Sequence, residues 1–178
     1  MSSPSQILLG PEQGTFTLRT GVVGPAARTG HNLTIEFERW QATVDLDGNV
    51  PTAAVLAVNV ESLQVRSGEG GITPMTPPER ALARVNALKS LKVTRFGDIT
   101  FRASAITATD DGYSLTGDLS ICGKTRPHSV TVVVDGTQVS GESSLKQTDF
   151  GVKQYSLMMG ALKVADEVTV ALEATIPT

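Results

Sequence analysis

The chain has 178 residues, with 15 basic and 18 acidic side chains, a net charge of −3 and no block of like charge. That length suits one domain with a substantial core. The lack of a basic stripe argues against nucleic acid, and equally against anionic membrane surfaces, as partners.

The single cysteine, Cys122, excludes an internal disulfide. Near the N-terminus the apolar run Ile7–Leu9 is too short for a signal-peptide core and no Lys or Arg precedes it. No stretch approaches the ~18 apolar residues of a membrane span. A cytoplasmic location is the expectation.

Beyond that point the sequence alternates with period two, the mark of strands with one buried face. Phe16 and Leu18 alternate with Thr15, Thr17 and Arg19, and His31, Leu33, Ile35 and Phe37 alternate with polar neighbours. The phase then flips to Trp40, Ala42, Val44 and Leu46, which predicts a bulge or bend near Glu38–Arg39. After the turn signal Asp47-Gly48-Asn49, Ala54, Leu56, Val58 and Val60 share a face, and Leu63 and Val65 follow in the opposite phase. The region from Ser67 to Thr76, rich in Gly and Pro, reads as a loop.

One interruption is helical, over about 77–90. Thr76-Pro77-Pro78-Glu79 fits an N-cap, two first-turn prolines and a capping-box Glu. Leu82, Val85 and Leu88 then recur at helical spacing, with Arg80, Arg84 and Lys89 expected outside. Strands resume at Ile99–Ala105 and at Tyr113–Ile121, joined by the turn Asp110-Asp111-Gly112. Then come Val130–Val134, a turn at Asp135-Gly136, a strand from about Val139 to Phe150, and Val168–Ile176.

No internal repeat or linker divides the chain, so residues 1–178 read as one domain. The pattern predicts an all-β fold: a single eight-stranded antiparallel barrel with one inserted helix. Such a barrel is either filled by its side chains or holds one small ligand. Here the candidate inward residues Ala54, Ala103, Ala105, Gly117, Gly141 and Ser143 are small, and the chain has only eight aromatic residues. A lumen follows, unless the helix or long loops plug it.

Catalytic signals are weak. There is no G-x-S-x-G elbow, and the two histidines and Cys122 match no spaced metal motif. His31 falls on an apolar face, as a structural or ligand-contacting histidine, and His128 after Arg126-Pro127 reads as exposed. Gly123-Lys124-Thr125 misses the P-loop spacing, and Cys122–Thr125 reads as a hairpin corner. Asp149, Lys153, Tyr155 and Asp166 read as a salt-bridged loop. The apolar segment from Asp149 to Gly160, with its Met158-Met159 pair, reads as adaptable ligand-contacting structure or as a packed loop over the barrel mouth.

The chain resembles the YceI-like family of lipid-binding proteins. The resemblance lies in Gly30-His31-Asn32-Leu33-Thr34-Ile35 leading to Trp40, the helix-bearing insert, the stretch from Leu115 to Arg126, Thr148-Asp149-Phe150-Gly151-Val152, and Asp166-Glu167-Val168. It spans roughly residues 14–176. It implies a lipocalin-like barrel around a bound polyisoprenoid or quinone lipid, with no other cofactor and no metal, and many members of the family are periplasmic. The inward faces would then bring Phe16, Leu18, His31, Leu33, Ile35, Phe37, Trp40, Phe101 and Leu115 against the ligand. Phe150, Tyr155, Leu157, Met158 and Met159 would join them from the segment over the mouth, with His31, Gln154 or Tyr155 supplying polar groups there.

The expected function is binding, carrying or sequestering such a lipid, without catalysis, without stable membrane insertion, and with a homodimer left open. Two alternatives stand beside it: an enzyme acting on an isoprenoid-type lipid, for which His31 and Asp149 would be the groups to replace, and a filled-core interaction barrel.

Overall fold

The computed structural model describes residues 4–178. In chain order the segments are β1 (Pro4–Leu9), β2 (Gly14–Arg19), β3 (Val22–Val23), β4 (His31–Phe37), β5 (Trp40–Asp47), β6 (Val50–Asn59), β7 (Leu63–Gly70), α1 (Pro77–Ser90), β8 (Asp98–Ala108), β9 (Gly112–Ile121), β10 (Lys124–Asp135), β11 (Gln138–Lys146), β12 (Ser156–Leu157), β13 (Leu162–Val164) and β14 (Glu167–Thr175). Eleven of the strands form one antiparallel sheet in the order β1-β5-β6-β8-β9-β10-β11-β14-β2-β4-β7, and β12-β13-β3 form a small second sheet.

Eleven segments correspond to eight long strands, because three of those strands are broken once. β1 and β2 continue one another along residues 4–19 and pair with β5 and β4 respectively, and β4–β5 in turn pair with β7–β6. Since β14 pairs with β2 and β6 pairs with β8, the wall closes on itself through these bends. The phase flip at Glu38–Arg39 is one of the breaks. Opposite it, the Val60–Ser62 turn bends the partner strand, and the backbone ladder carries on through Glu38 N–H to the Ser62 carbonyl (3.2 Å) and Asn59 N–H to the Arg39 carbonyl (3.0 Å). Ser62, the buried polar residue of this corner, accepts the Arg39 N–H and donates to the Asn59 carbonyl. These bonds pair polar groups that the bend takes out of the regular ladder, which is what allows a kink to be buried.

Other sequence expectations need correcting. β1 lies outside the expected strands, because its three apolar residues give too little alternation to mark one. Residues 67–70, expected in a loop, extend β7, and the strand expected up to Phe150 ends at Lys146 before a 3₁₀ turn over Gln147–Phe150. The Cys122–Gly123 corner is a two-residue hairpin with both residues at positive φ, 51° and 75°, the primed-turn geometry that suits strand twist. A bulge at Ser104 shifts the β8 register, so Ala105 turns outward and Ile106 takes the inward place. Gly117 is small for another reason: a Cβ there would collide with the Arg102 carbonyl and the Ala103 Cα. Its bareness lets the bulged backbone approach.

Two buried clusters flank the centre. One gathers Phe16, Ile35, Phe37, Trp40, Val58 and Leu63; the other gathers Phe101, Leu119, Ile121, Phe150 and Val152. The helix starts at the expected capping box, in which the Thr76 hydroxyl accepts the Glu79 N–H and the Glu79 carboxylate accepts the Thr76 N–H (2.6 Å). Its inward face differs from the expected one. Leu82 and Val85 are exposed, while Ala83, Ala87, Leu88 and Leu91 pack on the first cluster. Arg84, expected outside, donates to the Leu63 and Glu61 carbonyls at the strand bend (2.7 and 2.8 Å). Small alanines let the helix lie close against β7, covering the edge that strand leaves free on the side away from β4.

Candidate functional site

The tight turns after β5, β8 and β10 sit at one end of the barrel; the helix, the small sheet and residues 147–165 sit at the other. Between the two buried clusters lies a cavity of about 650 Å³, within the range of sites that enclose a drug-sized ligand. Its wall is mostly apolar. From β10, β11 and β14 come Val130, Val132, Val139, Leu145, Val170 and Leu172, all facing inward yet only half-buried. Inward apolar side chains that stay accessible mean that the space they enclose is unfilled. Ala54, Gly141 and Ser143 line it as their size suggested, whereas Ala103 lies buried in the second cluster.

The helix roofs this space. Glu79, Leu82, Ala83, Asn86, Ala87, Ser90 and Leu91 line the cavity at helical spacing, one face of a 3.6-residue period. At this end the exposed lining residues mark the mouth: Glu79 and Leu82 on the helix, Thr29 before β4, Tyr155 just before β12 and Leu157 within it. His31 stands at this mouth, its Nε2 2.8 Å from the Thr73 carbonyl, and so ties the loop before the helix to the rim.

Of the residues expected at a ligand, Phe16, Leu18, His31, Leu33, Ile35, Phe37, Phe101, Leu115, Phe150, Tyr155 and Leu157 line the cavity. Three do not. Trp40 points into the packed cluster, 6.4 Å from the Phe16 ring centre, because the strand bend just before it aims it away from the lumen. Met158 and Met159 lie at the tip of the hairpin joining β12 and β13, both at positive φ and both turned to solvent. Gln154 donates to the Val164 carbonyl within that hairpin. The expected salt-bridged loop is also absent among the described residues: Asp166 instead accepts the Thr148 N–H and hydroxyl, which hold its carboxyl below the usual range.

The residue that sequence reasoning misplaced is His128. It shares the phase of Val130 and Val132 on β10, an alternation that signals an inward place and that the preceding Arg126-Pro127 masks. In the structure it lines the lumen, meets the Phe101 ring edge-on at 6.0 Å, and has Nε2 2.6 Å from the Ser143 hydroxyl. The pair straddles the point where the β10–β11 backbone ladder ends, at Thr131–Glu142, and so laces the wall there.

Burial pushes the His128 imidazole below its ordinary value. The unfolded chain then binds the extra proton first, so stability should fall as pH drops through the ordinary histidine value and level off below the folded one. A His128→Gln variant should show a flatter urea midpoint between about pH 7 and about pH 5 than the parent. Parallel profiles would show that the imidazole is not desolvated.

No group of three or more His, Cys, Asp or Glu able to hold a metal occurs among the described residues, and no helix among them is long and apolar enough to cross a membrane. No curated protein sequence matches the chain. Among solved structures, Burkholderia cenocepacia BcnA superposes with a TM-score of 0.64 at 20% identity, covering 92% of this chain and 96% of that one. The Campylobacter jejuni YCEI protein gives 0.57 at 15% identity over 81% and 84%, and a mutant of it holding a monobromobimane guest gives 0.61 at 16% identity over the same shares. At such identities the likeness speaks for the fold. The family model for the YceI-like domain matches residues 13–176, nearly the whole closed wall, and the chain belongs to that family.

Proposed function

We propose that the chain binds, and so carries or sequesters, a long apolar lipid of the polyisoprenoid or isoprenoid-quinone type in its lumen. The observation that carries this reading is the 650 Å³ apolar cavity whose inward Val and Leu side chains remain half-exposed. Each methylene buried there contributes about 0.8 kcal/mol, so a few isoprene units give a large gross gain, part of it offset by ordering the tail. Polar groups of the ligand would meet His31 and Tyr155 at the mouth, or the His128–Ser143 pair within.

That pair also supports a second reading, since a hydroxyl 2.6 Å from an imidazole is the geometry of a nucleophile and its base. Against it, no carboxylate among the described residues hydrogen-bonds the other ring nitrogen, and the ring packs on Phe101. We therefore favour binding without turnover.

An organic extract of freshly purified protein, read by mass spectrometry, should contain an isoprenoid lipid in near-stoichiometric amount. Empty extracts, together with no uptake of an apolar fluorescent dye, would refute the binding reading. A chemically different lipid in Ser143→Ala than in the parent would point to turnover instead.

A further inference from the structure

The structure carries a second apolar feature that packing does not explain. Ile72, Leu82, Tyr155, Leu157, Met158 and Met159 are exposed, and Met159 is fully so. They are contiguous with the cavity mouth. Tyr155, Leu157 and Leu82 line it, and the Ile72 loop is tied to its rim where the Thr73 carbonyl accepts from His31 Nε2. At the hairpin tip Met158, Met159 and Gly160 all have positive φ, 51°, 55° and 92°. A turn of that shape projects two methionines outward, where non-glycine residues rarely sit.

The small sheet that carries the tip is basic, while the wider rim also bears Glu69, Glu79, Asp149 and Asp166. From Phe150 to Ala165 the chain has Lys153 and Lys163 and no acidic residue, and from Thr20 to Gly30 it has Arg28 alone. Arg28 and Lys153 are exposed and take part in no ion pair among the described residues. Lys163 faces Asp166, and Glu79 stands on the helix side of the mouth; hydrogen bonds from Thr148 and Thr76 keep both carboxylates ionised. The chain as a whole is acidic and shows no basic stripe, so this local bias comes from the fold gathering two separate segments.

We propose that this rim is a membrane-docking face, in which the Met158–Met159 tip enters the headgroup–acyl boundary of an anionic bilayer while Arg28 and Lys153 meet the headgroups. A protruding apolar tip with a cationic flank fits a soft lipid surface better than a flat protein partner. Docking there would place the cavity mouth against the bilayer, where an apolar ligand could pass without crossing water. That last step rests on the lipid-binding reading; docking itself does not.

The test is co-sedimentation with vesicles of phosphatidylcholine, alone or mixed with an equal amount of phosphatidylglycerol. The parent should partition onto the mixed vesicles and much less onto the neutral ones, with binding that weakens as salt rises. The variant M158D/M159D should lose about tenfold or more of that partitioning, and R28Q/K153Q should lose its salt dependence. Both should keep the parent's thermal midpoint and its uptake of an apolar fluorescent dye in free solution. A parent that stays in the supernatant with mixed vesicles, or an M158D/M159D variant that sediments like the parent, would overturn the proposal. So would a parent that dimerises in lipid-free solution through these methionines, because the tip would then belong to a second copy. Failure of dye uptake with vesicle binding intact would count against the lipid-binding reading and leave docking standing.

Discussion

Replacing Val130 with Trp is expected to reduce binding of an apolar ligand by about 100-fold while leaving the barrel folded. Val130 faces the lumen from β10 and is half-buried because nothing opposes it across the cavity. The larger ring has empty space to enter, so overpacking strain is small, and the added apolar burial contributes to stability. What it removes is ligand volume. Excluding about four methylenes costs the ligand roughly 3 kcal/mol, which is about two decades in affinity. The measurement is a dye-displacement titration of parent and variant, with thermal unfolding of each. Unchanged affinity would place the ligand outside this lumen, and a variant that fails to fold would mean the wall around Val130 is already full.

Replacing Trp40 with Ala should have the largest effect on stability. Trp40 is only 5% exposed and lies with Phe16 and Phe37 in the cluster that packs behind the cavity. Truncating a buried aromatic of this kind costs about 3–5 kcal/mol, a large share of the roughly 5–15 kcal/mol that keeps a domain folded. It should appear as a marked drop in the urea midpoint followed by far-UV circular dichroism. A loss below about 1 kcal/mol would mean that the cluster relaxes around the hole and that Trp40 is not a core residue of the cluster.

The contrast between these sites explains how much of the molecule was legible in its sequence. Alternation placed Phe16, Leu18, Leu33, Ile35 and Phe37 on the inward face because a strand's period of two is a local property. It also located the break before Trp40, since a bend must shift the phase. The same rule applied to Trp40 itself misled: a residue inside the barrel can face either the packed cluster or the empty lumen, and both look alike in sequence. His128 shows the opposite case. Its phase was readable beside Val130 and Val132, but its meaning depended on Ser143, fifteen residues away and on the next strand.

Sequence alone therefore determined the closed β architecture, the capped helix over 77–90 and the inward face of most strands, because each follows from contacts between near neighbours in the chain. Tertiary structure decided what the interior holds. Whether small and branched side chains meet across a barrel or leave space between them depends on strand tilt, on bulges such as the one at Ser104, and on where α1 comes to rest. Those are distances between residues far apart in sequence, and no local pattern encodes them.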